Sequence, residues 1–201
     1  LKKELPNFKI DYNFKSLKKI ILLISATFFV TLSFDVLYQF SPAYLAQKWK
    51  FDEFKIATAT TFLSLFMIIS QVFIIPKIKK NYEFLMIILS TIFFTITLSY
   101  LSLLNILWPL YLCMPLLGLC IGVCGTLVPV YISDHVSANR QGRLMGLMMG
   151  FRSLGDAGIC ILGSFTLKIS PSFPLIIGCI SMIIGILTLF FSSFILKRKE
   201  I

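Results

Sequence analysis

Six apolar stretches, each long enough to cross a bilayer as a helix, partition this chain: Ile20 to Phe40, Ile56 to Ile75, Phe84 to Leu104, Leu110 to Ile132, Leu144 to Leu167 and Pro174 to Leu196. A helix rises about 1.5 Å per residue and satisfies its own backbone polar groups, so ~20 apolar residues cover a hydrocarbon core ~30 Å thick. The prediction is an all-α polytopic membrane protein. Composition closes the alternatives, because 57% hydrophobic and 14% charged residues leave too few polar groups to coat a soluble domain of 201 residues. A soluble enzyme, a disordered tail and a secreted disulfide scaffold are excluded.

Breakers set the expected span boundaries: Ser41-Pro42, Pro76, Trp108-Pro109, the polar stretch Ser133 to Arg143, and Ser170-Pro171-Ser172. Spans three and four are joined only by Asn105 to Pro109, which makes them antiparallel neighbours. Three spans on either side of that turn predict two inverted three-helix repeats related by a pseudo-two-fold axis in the membrane plane. The expected organisation is a basic cytoplasmic tail or central linker over 1–19, a six-helix bundle over 20–196 and a cytoplasmic C-terminus over 197–201.

The net charge of +10 is unevenly placed. Lys2, Lys3, Lys9, Lys15, Lys18 and Lys19, the loop residues Lys77, Lys79, Lys80, Arg140 and Arg143, and Lys197, Arg198 and Lys199 fall on one side. Lys48, Lys50, Lys55 and Lys168 fall on the other, with Asp52 and Glu53 beside the first three. The positive-inside rule then puts both termini in the cytoplasm, for a multi-pass protein of the inner (plasma) membrane. Positive charge flanking apolar spans needs no nucleic-acid partner. The five cysteines lie in or at the edge of spans, without a CxxC, and the one histidine, His135, lies in a loop, so no metal is expected. No phosphate-binding glycine loop occurs and no other cofactor is expected, so transport, if it occurs, is ion-coupled or passive.

Ionisable residues inside spans cost about 2.5 to 3.5 kcal/mol each on insertion scales and are site candidates for that reason. Asp35 shares a stripe of span one with Thr31 and Gln39, and no opposite charge stands three or four residues away. It is expected to face protein or water, as a proton or cation site. On span two, Thr60, Ser64 and Gln71 form a second polar stripe with Met67 between them. Arg152 and Asp156 on span five stand at i, i+4, a spacing that allows pairing along one face, either as a switchable pair or as a structural lock. The candidate substrate- and proton-binding set is Asp35, Gln39, Gln71, Arg152 and Asp156. Span four carries Gly118, Gly122, Gly125 and Pro129 on one face. Small residues recur as Gly146, Gly150 and Ser153 on span five and as Gly178, Ser181 and Gly185 on span six, predicting close helix packing.

The run GLCIGVCGTLVPVYISDHVSANRQGRLMG, from Gly118 to Gly146, resembles the tenth helix, cytoplasmic loop and start of the eleventh in drug:proton antiporters of the major facilitator superfamily, especially tetracycline efflux proteins. The turn Asn139-Arg140-Gln141-Gly142 is the closest match, and Gln71 ahead of Pro76 and a basic loop is similar to the eighth helix of that branch. The superfamily's acidic-arginine loop signature is absent from Pro76 to Glu83, as in a C-terminal half. The resemblance implies the C-terminal six-helix half of a twelve-helix transporter. It implies a cavity lined mainly by the first two helices of each repeat, and alternating access that exchanges protons for a small organic molecule. A partner N-terminal half is expected, since the chain opens on Leu1. A metabolite uptake permease of the same superfamily and a non-transporting membrane scaffold or sensor remain alternatives. An intramembrane serine protease lacks its histidine, and a mitochondrial carrier lacks its repeated motif.

Overall fold

A computed structural model describes residues 14–103, 106–134, 136 and 138–197, with side-chain surroundings for 21–103, 106–134, 136 and 141–192. Most of the expected basic tail, His135 and the residues from Arg198 onward lie outside the described residues. Six long helices follow one another: α1 (Phe14–Trp49), α2 (Glu53–Ile69), α3 (Glu83–Leu103), α4 (Leu110–Asp134), α5 (Ala138–Leu167) and α6 (Phe173–Lys197). Six helical segments are long and apolar enough to cross a membrane, the second being α2 together with the turns that continue it to Lys77. The chain is a multi-pass membrane protein with no strand among the described residues.

Helix α1 corrects the expected boundary at Ser41-Pro42. It runs for 36 residues with Pro42 inside it, about 54 Å at the usual rise. Proline removes one hydrogen bond and crowds the carbonyl four residues back, but packing on both sides of it holds the helix together. Ser41, Tyr44 and Leu45 are buried, and the Tyr44 hydroxyl donates to the Leu101 carbonyl of α3 at 2.6 Å. Tyr44→Phe is expected to cost ~1 kcal/mol, the usual net worth of such a bond. The readout is thermal exposure of the buried cysteines to a thiol dye, and an unchanged melting curve would show that the bond contributes nothing.

The α1 helix stops where Lys50 takes a left-handed conformation (φ 53°) and the Phe51 amide reaches back to the Leu45 carbonyl at 3.3 Å. Phe51 and Leu45 are both buried, which supplies the apolar contact that usually accompanies this kind of stop. Asp52 then caps α2 by accepting from the Lys55 amide at 2.9 Å.

At its far end α2 widens into a π-helical turn, Ser70–Ile74, and tightens into a 3-10 turn, Ile75–Lys77. Pro76 explains the change of register, because in an uninterrupted α-helix its ring would meet the Val72 carbonyl.

The two repeats pack alike. Helix α1 lies on α6 as α4 lies on α3, and α1 touches α5 as α4 touches α2. Burial follows the same equivalence, with 56% of the apolar 18-residue stretch buried in both the first and fourth spans, and 17% in both the second and fifth. Inverted three-helix repeats account for this pattern. The inner helices are α1 and α4, the wings are α2 and α5, and α3 and α6 close the back.

Small residues make the seams. The α4 face with Gly118 and Gly122 lies directly against α2: a Cβ on Gly118 would sit 3.0 Å from the Leu63 carbonyl carbon, and one on Gly122 2.6 Å from the Met67 oxygen. Helix α6 joins α1 through Gly178 and Gly185. Two hydroxyls add to that seam, Ser33 donating to the Gly178 carbonyl at 2.8 Å and Ser181 to the Phe29 carbonyl at 2.9 Å. The expected packing role of Gly146 and Gly150 is not met, since a Cβ at either would have nothing within 4 Å. Helix α5 touches its neighbours through other faces.

The α2–α3 connection, with its lysines, and the junction of α4 with α5, where Arg140 and Arg143 stand in the first turns of α5, lie at one end of the bundle. Lys80 pairs with Asp134 at 2.6 Å, and the Gln141 amide donates to the Ser133 carbonyl at 3.0 Å, tying the start of α5 to the end of α4. Asn139 to Gly142, expected as a turn, instead lies in the first turns of α5, which starts at Ala138 and so begins inside the polar stretch expected to separate the spans.

Candidate functional site

A cavity of about 420 Å³ lies between α1, α2, α4 and α5. Its wall takes Thr31, Asp35 and Tyr38 from α1, Met67 and Gln71 from the α2 limb, Gly125 and Pro129 from α4, and Met145, Met149 and Arg152 from α5. Helices α3 and α6 contribute nothing to its described lining. Gly125 is on this wall because a Cβ there would meet only open space, whereas Gly118 and Gly122 on the same face are covered by α2.

The charged centre differs from the arrangement expected from local spacing. Arg152 does not lock onto Asp156 one turn away. Its guanidinium crosses to α1 and clasps Asp35 with two bonds, Nη2 to Oδ1 at 2.6 Å and Nε to Oδ2 at 3.1 Å. Asp35, expected to stand without a partner, is therefore the main partner of Arg152. The fork of a guanidinium matches both carboxylate oxygens at once, and Asp35 offers that geometry across the α1–α5 seam. The Asp35 side chain is 8% exposed and that of Arg152 46%, so the pair sits at the cavity wall with its carboxylate inward and its cation half open.

Asp156 faces the same centre. Its carboxyl lies beside that of Asp35 and within the field of Arg152, while its Oδ1 is buried with no hydrogen-bond partner. Two carboxyls thus share one guanidinium. Near them the Tyr38 hydroxyl donates to the Met67 sulfur at 3.1 Å, joining α1 to α2 across the cavity.

The remaining candidates divide. Gln71 lines the cavity from the π-helical turn. Gln39 does not. It sits one turn beyond Asp35, where its Oε1 accepts from the Cys160 thiol at 3.2 Å. The Thr31 hydroxyl is satisfied on its own helix by the Thr27 and Phe28 carbonyls. Of the α2 stripe only Met67 and Gln71 reach the cavity, and Thr60 bonds back to Ile56 and Ala57. Tyr38 was missed from sequence although it stands three residues from Asp35, a spacing that brings side chains onto one face.

The family description Major Facilitator Superfamily matches residues 3–158. The chain belongs to the Major Facilitator Superfamily. Its six helices also superpose on a crystal structure described as an auto-inhibited POT family peptide transporter, with a TM-score of 0.72 and 14% identity over 88% of this chain. The superposition covers 37% of that transporter, and at this identity it speaks for the fold alone. No curated protein sequence matches the chain. The cavity of this facilitator chain is formed by the first two helices of each repeat, as the resemblance implied.

Proposed function

We propose that this facilitator chain is one six-helix half of a secondary transporter that exchanges protons for a small organic molecule, most plainly in the efflux direction. The second half is another six-helix body facing the cavity. The reading places the protein in the plasma membrane with both termini cytoplasmic, supported by the basic residues at its ends, between α2 and α3 and at the start of α5. The reading is supported by the family and by the cavity between α1, α2, α4 and α5.

The observation that carries the reading is the Asp35–Arg152 clasp between an inner helix and a wing helix, with Asp156 beside it. A proton arriving on Asp35 removes the charge that holds Arg152 and loosens α5 from α1. A proton leaving restores the clasp. Asp156 is the second acceptor and keeps Arg152 compensated when the first is neutral. The proton thereby acts on helix packing, which is what alternating access requires of a coupling ion. Gln71 serves as a solute contact from the opposite wall, and Gln39 as a polar residue of the same α1 stripe.

The decisive experiment uses the full-length protein in liposomes. Asp35→Asn is expected to abolish flux driven by a proton gradient while solute exchange without a gradient continues. Uphill, gradient-driven flux at the wild-type rate in that variant would sink the proposal.

A further inference from the structure

The methionines of this chain divide by place. Of the seven, Met114 and Met182 are buried and Met86 packs against the core, while the other four, Met67, Met145, Met148 and Met149, all line the cavity between α1, α2, α4 and α5. Met67 and Met148 also touch the core, but Met145 belongs to neither core cluster and Met149 is 63% exposed. Filling gaps between helices, the ordinary use of methionine, does not account for those two. They stand at i, i+4 on α5, which puts them on one face with their Cβ atoms about 5 to 6 Å apart. On the other wing, the Met67 sulfur accepts the Tyr38 hydroxyl at 3.1 Å, a bond that fixes the sulfur at the cavity wall and leaves it a second lone pair.

We propose that these thioethers form a binding site for a soft monovalent metal ion, Cu(I) or its chemical analogue Ag(I), with Met67 as the ligand from α2 and Met145 and Met149 as the ligands from α5. The site goes beyond the transport reading and does not rest on it. Thioether sulfur is a soft, uncharged donor that suits Cu(I), whereas Mg(II), Ca(II) and Zn(II) take carboxylate, imidazole or thiolate. The cavity offers those ions little: among the described residues of its lining there is no histidine or cysteine, and the one carboxylate, Asp35, is held by Arg152. Charge points the same way. Asp35 and Arg152 cancel each other, so a monovalent ion adds one charge to this largely apolar wall and a divalent ion would add two. The rings of Phe34 and Tyr38 in the same lining suit a weakly hydrated cation. Methionine arms are long and unbranched, so three of them from two helices can close on one ion without a rigid frame. The expectation that no metal binds counted histidine and cysteine, and thioether falls outside that count.

The test titrates Cu(I), kept reduced and buffered by bicinchoninate, into the full-length protein in lipid nanodiscs. A Cys160→Ser background removes the exposed thiol, and the four other cysteines are buried. Equimolar binding is expected, and Zn(II) offered in the same medium should not compete. Met67→Leu, Met145→Leu and Met149→Leu nearly conserve side-chain volume and so keep the fold, and each should weaken Cu(I) binding by at least about tenfold, the usual size of a loss at a metal site. Met86→Leu, against the core and away from the cavity lining, should leave the affinity unchanged. Absence of Cu(I) binding in the background protein overturns the site. So does an affinity that the three cavity variants leave intact, or one that Met86→Leu lowers as much as they do, since the ion would then sit elsewhere or answer only to packing. If Cu(I) binds as expected while Asp35→Asn still transports uphill, the metal site stands and the proton role of Asp35 falls. If Asp35→Asn abolishes proton-driven flux and no Cu(I) binds, the transport reading stands and the metal site falls.

Discussion

Arg152→Ala should cost far more folded protein than the loss of either acid. The variant leaves the Asp35 carboxyl buried and the Asp156 Oδ1 without a partner, and both have lost Arg152, the one cation near them among the described residues. Removing one member of a fully buried pair costs about 3 to 5 kcal/mol, and the half-exposed guanidinium brings the expectation down to about 2 to 3 kcal/mol. Asp35→Asn or Asp156→Asn leaves one acid opposite Arg152 and should change stability by less than about 1 kcal/mol. Adding Asp35→Asn to Arg152→Ala should restore much of the lost abundance, and so should growth or solubilisation at lower pH, where the stranded carboxyls take up protons. Size-exclusion profiles of the four variants are the measurement. Equal losses in Arg152→Ala and Asp35→Asn would show that the centre is held by something other than its charge balance.

A methyl group at Gly118 is expected to be nearly as damaging. Its new Cβ would press on the Leu63 backbone, with the carbonyl oxygen of Leu63 nearer still, and backbone cannot rotate aside. Overpacking of a tight contact costs about 1 to 3 kcal/mol, and a wall of backbone puts Gly118→Ala at the upper end of that range. Gly146→Ala supplies the control, because nothing lies within 4 Å of its Cβ position and alanine favours helix over glycine by roughly 1 kcal/mol. Heating with a thiol dye reads both, since Cys113, Cys120, Cys124 and Cys179 are buried until the bundle opens. Gly118→Ala should melt several degrees early and Gly146→Ala no earlier than wild type. Coincident curves would mean that α2 and α4 do not pack through this face.

Hydropathy made the six spans legible because the bilayer imposes one length on every crossing, and the charge pattern paired the two basic loops that Lys80 and Asp134 bring together. Proline was a weaker guide. It was read as a terminator at Pro42, where burial of Tyr44 and Leu45 carries the helix through, and Pro115 and Pro129 likewise stand inside α4. The site was legible residue by residue but not as a constellation. Asp35, Gln71, Arg152 and Asp156 were each conspicuous as polar groups in apolar spans, yet the bond that organises them joins positions 117 residues apart. Local spacing offered Arg152 a partner four residues away, and nothing in a single sequence reveals that a better-placed carboxylate stands on another helix. The glycines show the same limit. Gly118 and Gly146 look alike in their stripes, and only the arrangement of helices decides which one a neighbour covers.

The wide turn at Ser70–Ile74 gives the end of α2 a property that a straight helix lacks. A π turn holds one residue more than the thread around it, and handing that surplus along the helix moves it one position at a time. Each such step would advance the limb carrying Gln71 by about 1.5 Å and turn it by about 100°. Pro76 stops the thread on one side, and on the other Ser70 is fastened, its hydroxyl donating to the Met67 carbonyl at 2.8 Å under Gly122. The limb is thus geared as a short screw between two stops, so that a push along the membrane normal would arrive at the cavity wall as a twist of Gln71.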